Sequence, residues 1–95
     1  MPKKEPVTEI TSSEFSKFII DKKAKLVVID FFTEWCEHCK TMESILESLA
    51  QKNPEVKFRK INVENARRLA QKYEISDIPC IIFFKDGKEI GRSRG

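Results

Sequence analysis

The stretch LVVIDFF, Leu26 to Phe32, restricts the folds open to this chain. Apolar β-branched and aromatic residues fill both alternating positions, so as a strand it must be covered on both faces. Strands of that kind belong to sheets with helices packed on each side. The run is far too short to span a bilayer. It also holds Asp30, an acid that is costly to bury unless it is paired or used.

The flanking patterns alternate between helical and strand periods. VTEI, from Val7, is a short strand candidate. Thr11 can cap a helix over residues 11–22, with Glu14 completing a capping box and Phe15, Phe18 and Ile19 on one face. After the first two cysteines, Met42, Ile45, Leu46 and Leu49 form the apolar stripe of a helix reaching Lys52. EVKFRKINV alternates as a strand. NARRLAQKY reads as a short helix with Ala66, Leu69, Ala70 and Tyr73 inward, and CIIFF as another strand. Asp86-Gly87 then predicts a tight hairpin into KEIGRSR. The expected order is β-α-β-α-β-α-β-β. It implies an α/β domain with a mixed sheet, because its last two strands form a hairpin. Residues 1–6 are expected to fray, leaving 7–95 as one domain.

Composition narrows the function. The chain has 95 residues, enough for one small domain. Its 18 basic and 15 acidic residues are interspersed, which predicts a solvated surface of mixed charge and no nucleic-acid footprint. MPKKEPVTEI lacks the apolar core of a signal peptide, and no run suits a membrane, so the expected compartment is the cytoplasm. Three cysteines cannot all pair within one chain, and a cytosol keeps thiols reduced. A catalytic or metal-binding pair is therefore favoured over a structural staple.

That pair is Cys36 and Cys39, in EWCEHCKTM. Residues three apart in a helix have β-carbons about 5–6 Å apart. A disulfide needs about 3.5–4.5 Å, so a small local adjustment opens or closes it. Placed where a buried strand hands over to a helix, Cys36 meets unpaired N–H groups and the positive end of the helix dipole, which favour its thiolate. Cys39, deeper, is the expected resolving thiol. The same spacing also fits half of a metal site, and the spacing alone leaves both readings open.

More of the chain resembles one family. VIDFFTEWCEHCK is similar to the active-site segment of thioredoxins, with Asp30 on the strand and Trp35 before the first cysteine. ISDIPC resembles their Ile-Pro loop, with Pro79 expected to be cis and to face the disulfide, and FRKIN places Lys60 where thioredoxins keep the lysine beside the buried aspartate. The matches stay in order from about Val7 to Gly95. The resemblance implies a thioredoxin-like fold and a thiol–disulfide oxidoreductase that needs no cofactor beyond the Cys36–Cys39 disulfide. It implies Cys36 as attacking thiolate and Cys39 as resolving thiol. Asp30, with Lys60 beside it, would move the Cys39 proton, and Trp35, Ile78 and Pro79 would line the groove for an extended substrate. Its partners would be disulfide-containing proteins and a thioredoxin reductase or equivalent.

The chain departs from the family pattern in four places. Glu37-His38 stands where thioredoxins usually carry Gly-Pro, so both residues join the expected substrate-facing set. Ser44 replaces a kink proline, and Cys80 follows Pro79 where threonine is usual. Gly95 falls where thioredoxins begin a last helix, which predicts an uncovered apolar strip on one sheet face and self-association through it. Two alternatives compete with catalysis: a metal-binding module built on Cys36, His38 and Cys39, and a non-catalytic substrate-binding or chaperone domain. The metal alternative is the weaker, because adjacent helical positions do not converge on one ion and zinc wants four ligands.

Overall fold

The computed structural model describes residues 7–94. Strand β1 (Thr8–Glu9) leads through Thr11 into helix α1 (Ser12–Ile19). The expected capping box is present: the Thr11 hydroxyl accepts from the Glu14 N–H, and the Glu14 carboxylate accepts from the Thr11 N–H at 2.9 Å. Then follow β2 (Leu26–Phe32), α2 (Glu37–Lys52), β3 (Val56–Asn62), a 3-10 turn (Val63–Asn65), α3 (Arg67–Lys72), β4 (Cys80–Lys85) and β5 (Lys88–Arg94). The predicted order holds throughout, with two changes of extent. The first helix stops at Ile19 rather than reaching residue 22. The segment read as one helix from Asn65 is split, because Ala66 turns to an extended φ of −147° between the 3-10 turn and α3.

The strands lie in the order β1-β3-β2-β4-β5, so β2 sits at the centre. It runs parallel to β3 and antiparallel to β4, which makes the sheet mixed, as the closing hairpin requires. From Val27 to Phe32 every residue of β2 is buried. Its alternate side chains enter two separate cores. Val27, Ile29 and Phe31 join Phe15, Ile19, Ala66, Ile82 and Phe84 under α1 and α3. There Phe15, Tyr73 and Phe84 pack edge-to-face, with ring centroids 5.5–5.6 Å apart. Val28 joins Leu46, Phe58 and Ile81 under α2.

Both turn residues of the hairpin have positive φ, 52° at Asp86 and 82° at Gly87. This is the geometry for which Asp-Gly is favoured. The Gly87 N–H donates to the Ile19 carbonyl at 2.8 Å, tying the hairpin to the end of α1.

Candidate active site

β2 ends at Phe32, and four residues later the chain reaches Cys36 at the N-cap of α2. Cys36 is the capping residue, and of the two cysteines only Cys39 is helical. The Cys39 N–H donates to Cys36 Sγ at 3.1 Å. The sulfur thus takes the place of the hydroxyl or carboxylate oxygen that usually caps a helix. The two residues are disulfide-bonded, with α-carbons 5.2 Å apart. Both are buried, in a small cluster with Phe32 and Ile78. Glu37 and His38 form the exposed outer side of the first turn.

Two clefts flank the pair. One, of about 450 Å³, is lined in part by Trp35, Thr33, Val63, Glu64, Arg67 and Ile78. Trp35 is 70% exposed, and its indole N–H donates to Glu64 at 3.3 Å. Pro79 follows a cis peptide bond but is fully buried and outside this lining, so Trp35 and Ile78 form the accessible part of the predicted groove. Glu64 had no signal in the sequence, because it meets Trp35 across 29 residues of chain. The second cleft, of about 330 Å³, is polar and includes Cys39, Glu43 and Lys60.

Asp30 is 1% exposed, and its Oδ1 has no hydrogen-bond partner among the described residues. Burial, reinforced by the negative charge of Glu43 and opposed by Lys60, pushes its carboxyl up to about 7. Lys60 is the register partner of Asp30 on the neighbouring strand. Its ammonium donates to Glu43 Oε1 at 2.6 Å. The family resemblance pairs Asp30 with Lys60, and Glu43 is not among the residues it implies. The signal was available: Glu43 follows Cys39 by four residues and so shares its helix face.

Cys80 lies in the other core, under α1 and α3, and burial raises its thiol. It is separated from Asp30 by the sheet, since alternate residues of β4 point to opposite faces. Among the described residues, no group of three His, Cys, Asp or Glu side chains is placed to hold a metal ion.

The Thioredoxin family profile matches residues 6–95. The chain belongs to the thioredoxin family. A thioredoxin of Chlamydia trachomatis is 49% identical over 70 residues, which cover 74% of this chain and 69% of that one. A thioredoxin of Chlamydia pneumoniae is 44% identical over 86 residues, covering 90% and 81%. Among solved structures, oxidised mitochondrial thioredoxin 3 of Saccharomyces cerevisiae is similar with a TM-score of 0.83 at 36% identity, over 94% of this chain and 83% of that one. Thioredoxin F of spinach chloroplast gives 0.88 at 30% identity, over 96% and 76%. Thioredoxins are thiol–disulfide oxidoreductases, and this chain, with its Cys36–Cys39 pair, is one. The family works through its own cysteines, on disulfide substrates, with a thioredoxin reductase as partner. No helix among the described residues is long and apolar enough to cross a membrane.

Proposed function

We propose that this thioredoxin-family domain, residues 7–95, reduces disulfides in protein substrates, with Cys36 attacking and Cys39 resolving. One observation carries the assignment: Cys36 Sγ sits at the N-cap of α2 and receives the Cys39 N–H. A helix N-terminus and a donated N–H both stabilise a thiolate, an effect of which thioredoxins are themselves a standard instance. Cys39, within the helix, has no comparable position.

The Cys36 thiolate attacks one sulfur of the substrate disulfide. A Cys36–substrate bond forms, and the other substrate sulfur leaves as a thiolate and is protonated. Cys39 then gives its proton to the Asp30 carboxylate and attacks Cys36. The Cys36–Cys39 bond forms, the Cys36–substrate bond breaks, and the second substrate sulfur leaves as a thiolate. Two electrons have passed from the dithiol to the substrate disulfide. Lys60 supplies the compensating charge when Asp30 is ionised. Trp35, Ile78 and Pro79 shape the substrate groove, and Glu37 and His38 set the charge at its rim.

The cysteines carry the electrons, so a separate reductase must restore the dithiol. The reductive direction suits a reducing compartment such as the cytosol. Self-association through the open apolar strip beside α2 is part of the same proposal.

Alkylation of the reduced protein tests the roles. Cys36 should react first, Cys36→Ser should abolish reduction of an insulin-type substrate, and Cys39→Ser should trap mixed disulfides. Faster alkylation of Cys39 would overturn the assignment.

A further inference from the structure

The polar cleft behind Cys39 holds a residue to which the mechanism has given no task. Glu43 lies one helical turn beyond Cys39, and Leu46, three residues further, is buried against the sheet. All three therefore lie on the face that α2 turns toward β2 and β3. Asp30 and Lys60 are register partners on adjacent parallel strands, so their side chains leave the sheet on one face. That face is the one under α2, because Val28 and Phe58, each two residues earlier in its strand, pack there with Leu46. Two carboxyls, one ammonium and the resolving thiol are thus gathered between α2, β2 and β3. The Lys60–Glu43 pair is itself largely shielded, with side chains 12% and 28% exposed.

An ammonium engaged by one carboxylate neutralises a second less well. We propose that Glu43 is a positioning residue for the proton step at Asp30: its carboxylate holds the Lys60 ammonium toward α2, leaving the buried carboxyl able to take and return the Cys39 proton. Glu43 touches neither the substrate nor the sulfurs; it acts through Lys60 and through its own charge. The electrostatics agree in sign, since Glu43 favours the protonated form of Asp30 and Lys60 the ionised form. The partner of Asp30 on β4 is Ile81, which has no charge. Glu9, Glu34 and Lys40 line the cleft but are exposed to solvent, where water and salt screen their charge.

The inference rests on Asp30 as the proton acceptor for Cys39, and the test separates the two. The Asp30 carboxyl is titrated by carbon-detected NMR in the oxidised full chain, where neither active-site thiol titrates. Glu43→Gln keeps an oxygen to accept the Lys60 bond but removes the charge. Its Asp30 midpoint should fall by about one pH unit, and the pH profile of mixed-disulfide release should move with it. Lys60→Met should move the midpoint the other way. If Glu43 only tethers α2 to β3, Glu43→Gln leaves the midpoint in place, and the proposal is overturned. Failure of the underlying reading has its own signature: Asp30→Asn releases mixed disulfides at the wild-type rate, which removes the catalytic role of the cluster whatever the midpoints do.

Discussion

At Asp30 the proton-transfer role proposed for the buried carboxyl opposes stability. Its folded-state pKa of about 7 lies above the unfolded value, so the native chain binds this proton more tightly than the unfolded chain does. Below an unfolded pKa of about 4 both states are protonated and no penalty exists. The penalty grows as pH rises from 4 to 7 and then levels off, at roughly 4 kcal/mol or less. Asp30→Asn should therefore stabilise the protein at pH 8 by about 1–3 kcal/mol and hardly at all at pH 4. Chemical denaturation at the two pH values measures this, and a destabilised variant at pH 8 would contradict it. His38 raises a different question. On the exposed first turn beside Cys36, a protonated imidazole favours the thiolate and Glu37 opposes it. The histidine can also donate a hydrogen bond to sulfur and should prevail. Stabilising the reduced form makes the pair more oxidising than the thioredoxin reference. The potential should lie between the reference values of thioredoxin and protein disulfide isomerase, roughly −270 to −180 mV. His38→Pro should lower it, and equilibration against glutathione would detect the change; an unchanged potential leaves His38 a bystander.

Secondary-structure elements here are joined through a few specific contacts. The β4–β5 hairpin is held to α1 by the Gly87 N–H on the Ile19 carbonyl. A β-carbon at Gly87 would lie 2.8 Å from Ile20 Cγ2, and the backbone there is left-handed at φ 82°. Gly87→Ala therefore combines a conformational cost with a clash, for a loss of about 1–2 kcal/mol. Thermal unfolding gives the check, and an unchanged Tm would mean that the turn relaxes at no cost. Helix α2 shows a different economy. It runs unbroken through 16 residues, with Ser44 where a kinking proline would stand in the family pattern. Its N-terminus is capped by the disulfide-bonded Cys36, and its inner face carries both the Glu43–Lys60 pair and Leu46.

On the scale of the whole molecule the two sheet faces are covered unequally. The face under α1 and α3 is closed by interlocking aromatic rings. The face under α2 keeps an apolar cleft of about 360 Å³, with Leu26, Val56 and Phe83 only half-buried. Ile45 and Leu49, on the adjoining side of α2, are 49% and 42% exposed. Contiguous apolar surface of this kind promotes association. The 95-residue protein should sediment as a concentration-dependent mixture, and Leu49→Lys should shift it toward monomer. A monomer across the whole concentration range would show that this strip is tolerated in water.

The local features were legible because local rules govern them. Strand and helix order follows from hydrophobic period, the α1 start from the Thr11–Glu14 box, and the hairpin from Asp86-Gly87. Cys36 at a helix start was visible as a strand giving way to a helical stripe. The period sets Met42, Ile45, Leu46 and Leu49 in one stripe of α2 but does not show which members another element will cover: Leu46 is buried, while Ile45 and Leu49 stay open. The break at Ala66 was hidden because the apolar pattern continues across it, while the Asn62 side chain accepts the Glu64 N–H and organises a separate 3-10 turn. The contacts that shape the site depend on strand register and on how α2 seats on the sheet. The family resemblance carries the Asp30–Lys60 pairing, whereas those choices set Glu43 on Lys60 and tertiary packing likewise brings Glu64 to Trp35. Such pairings are selected by the packing energy of the assembled cores, to which distant segments contribute jointly, so no window of sequence contains them.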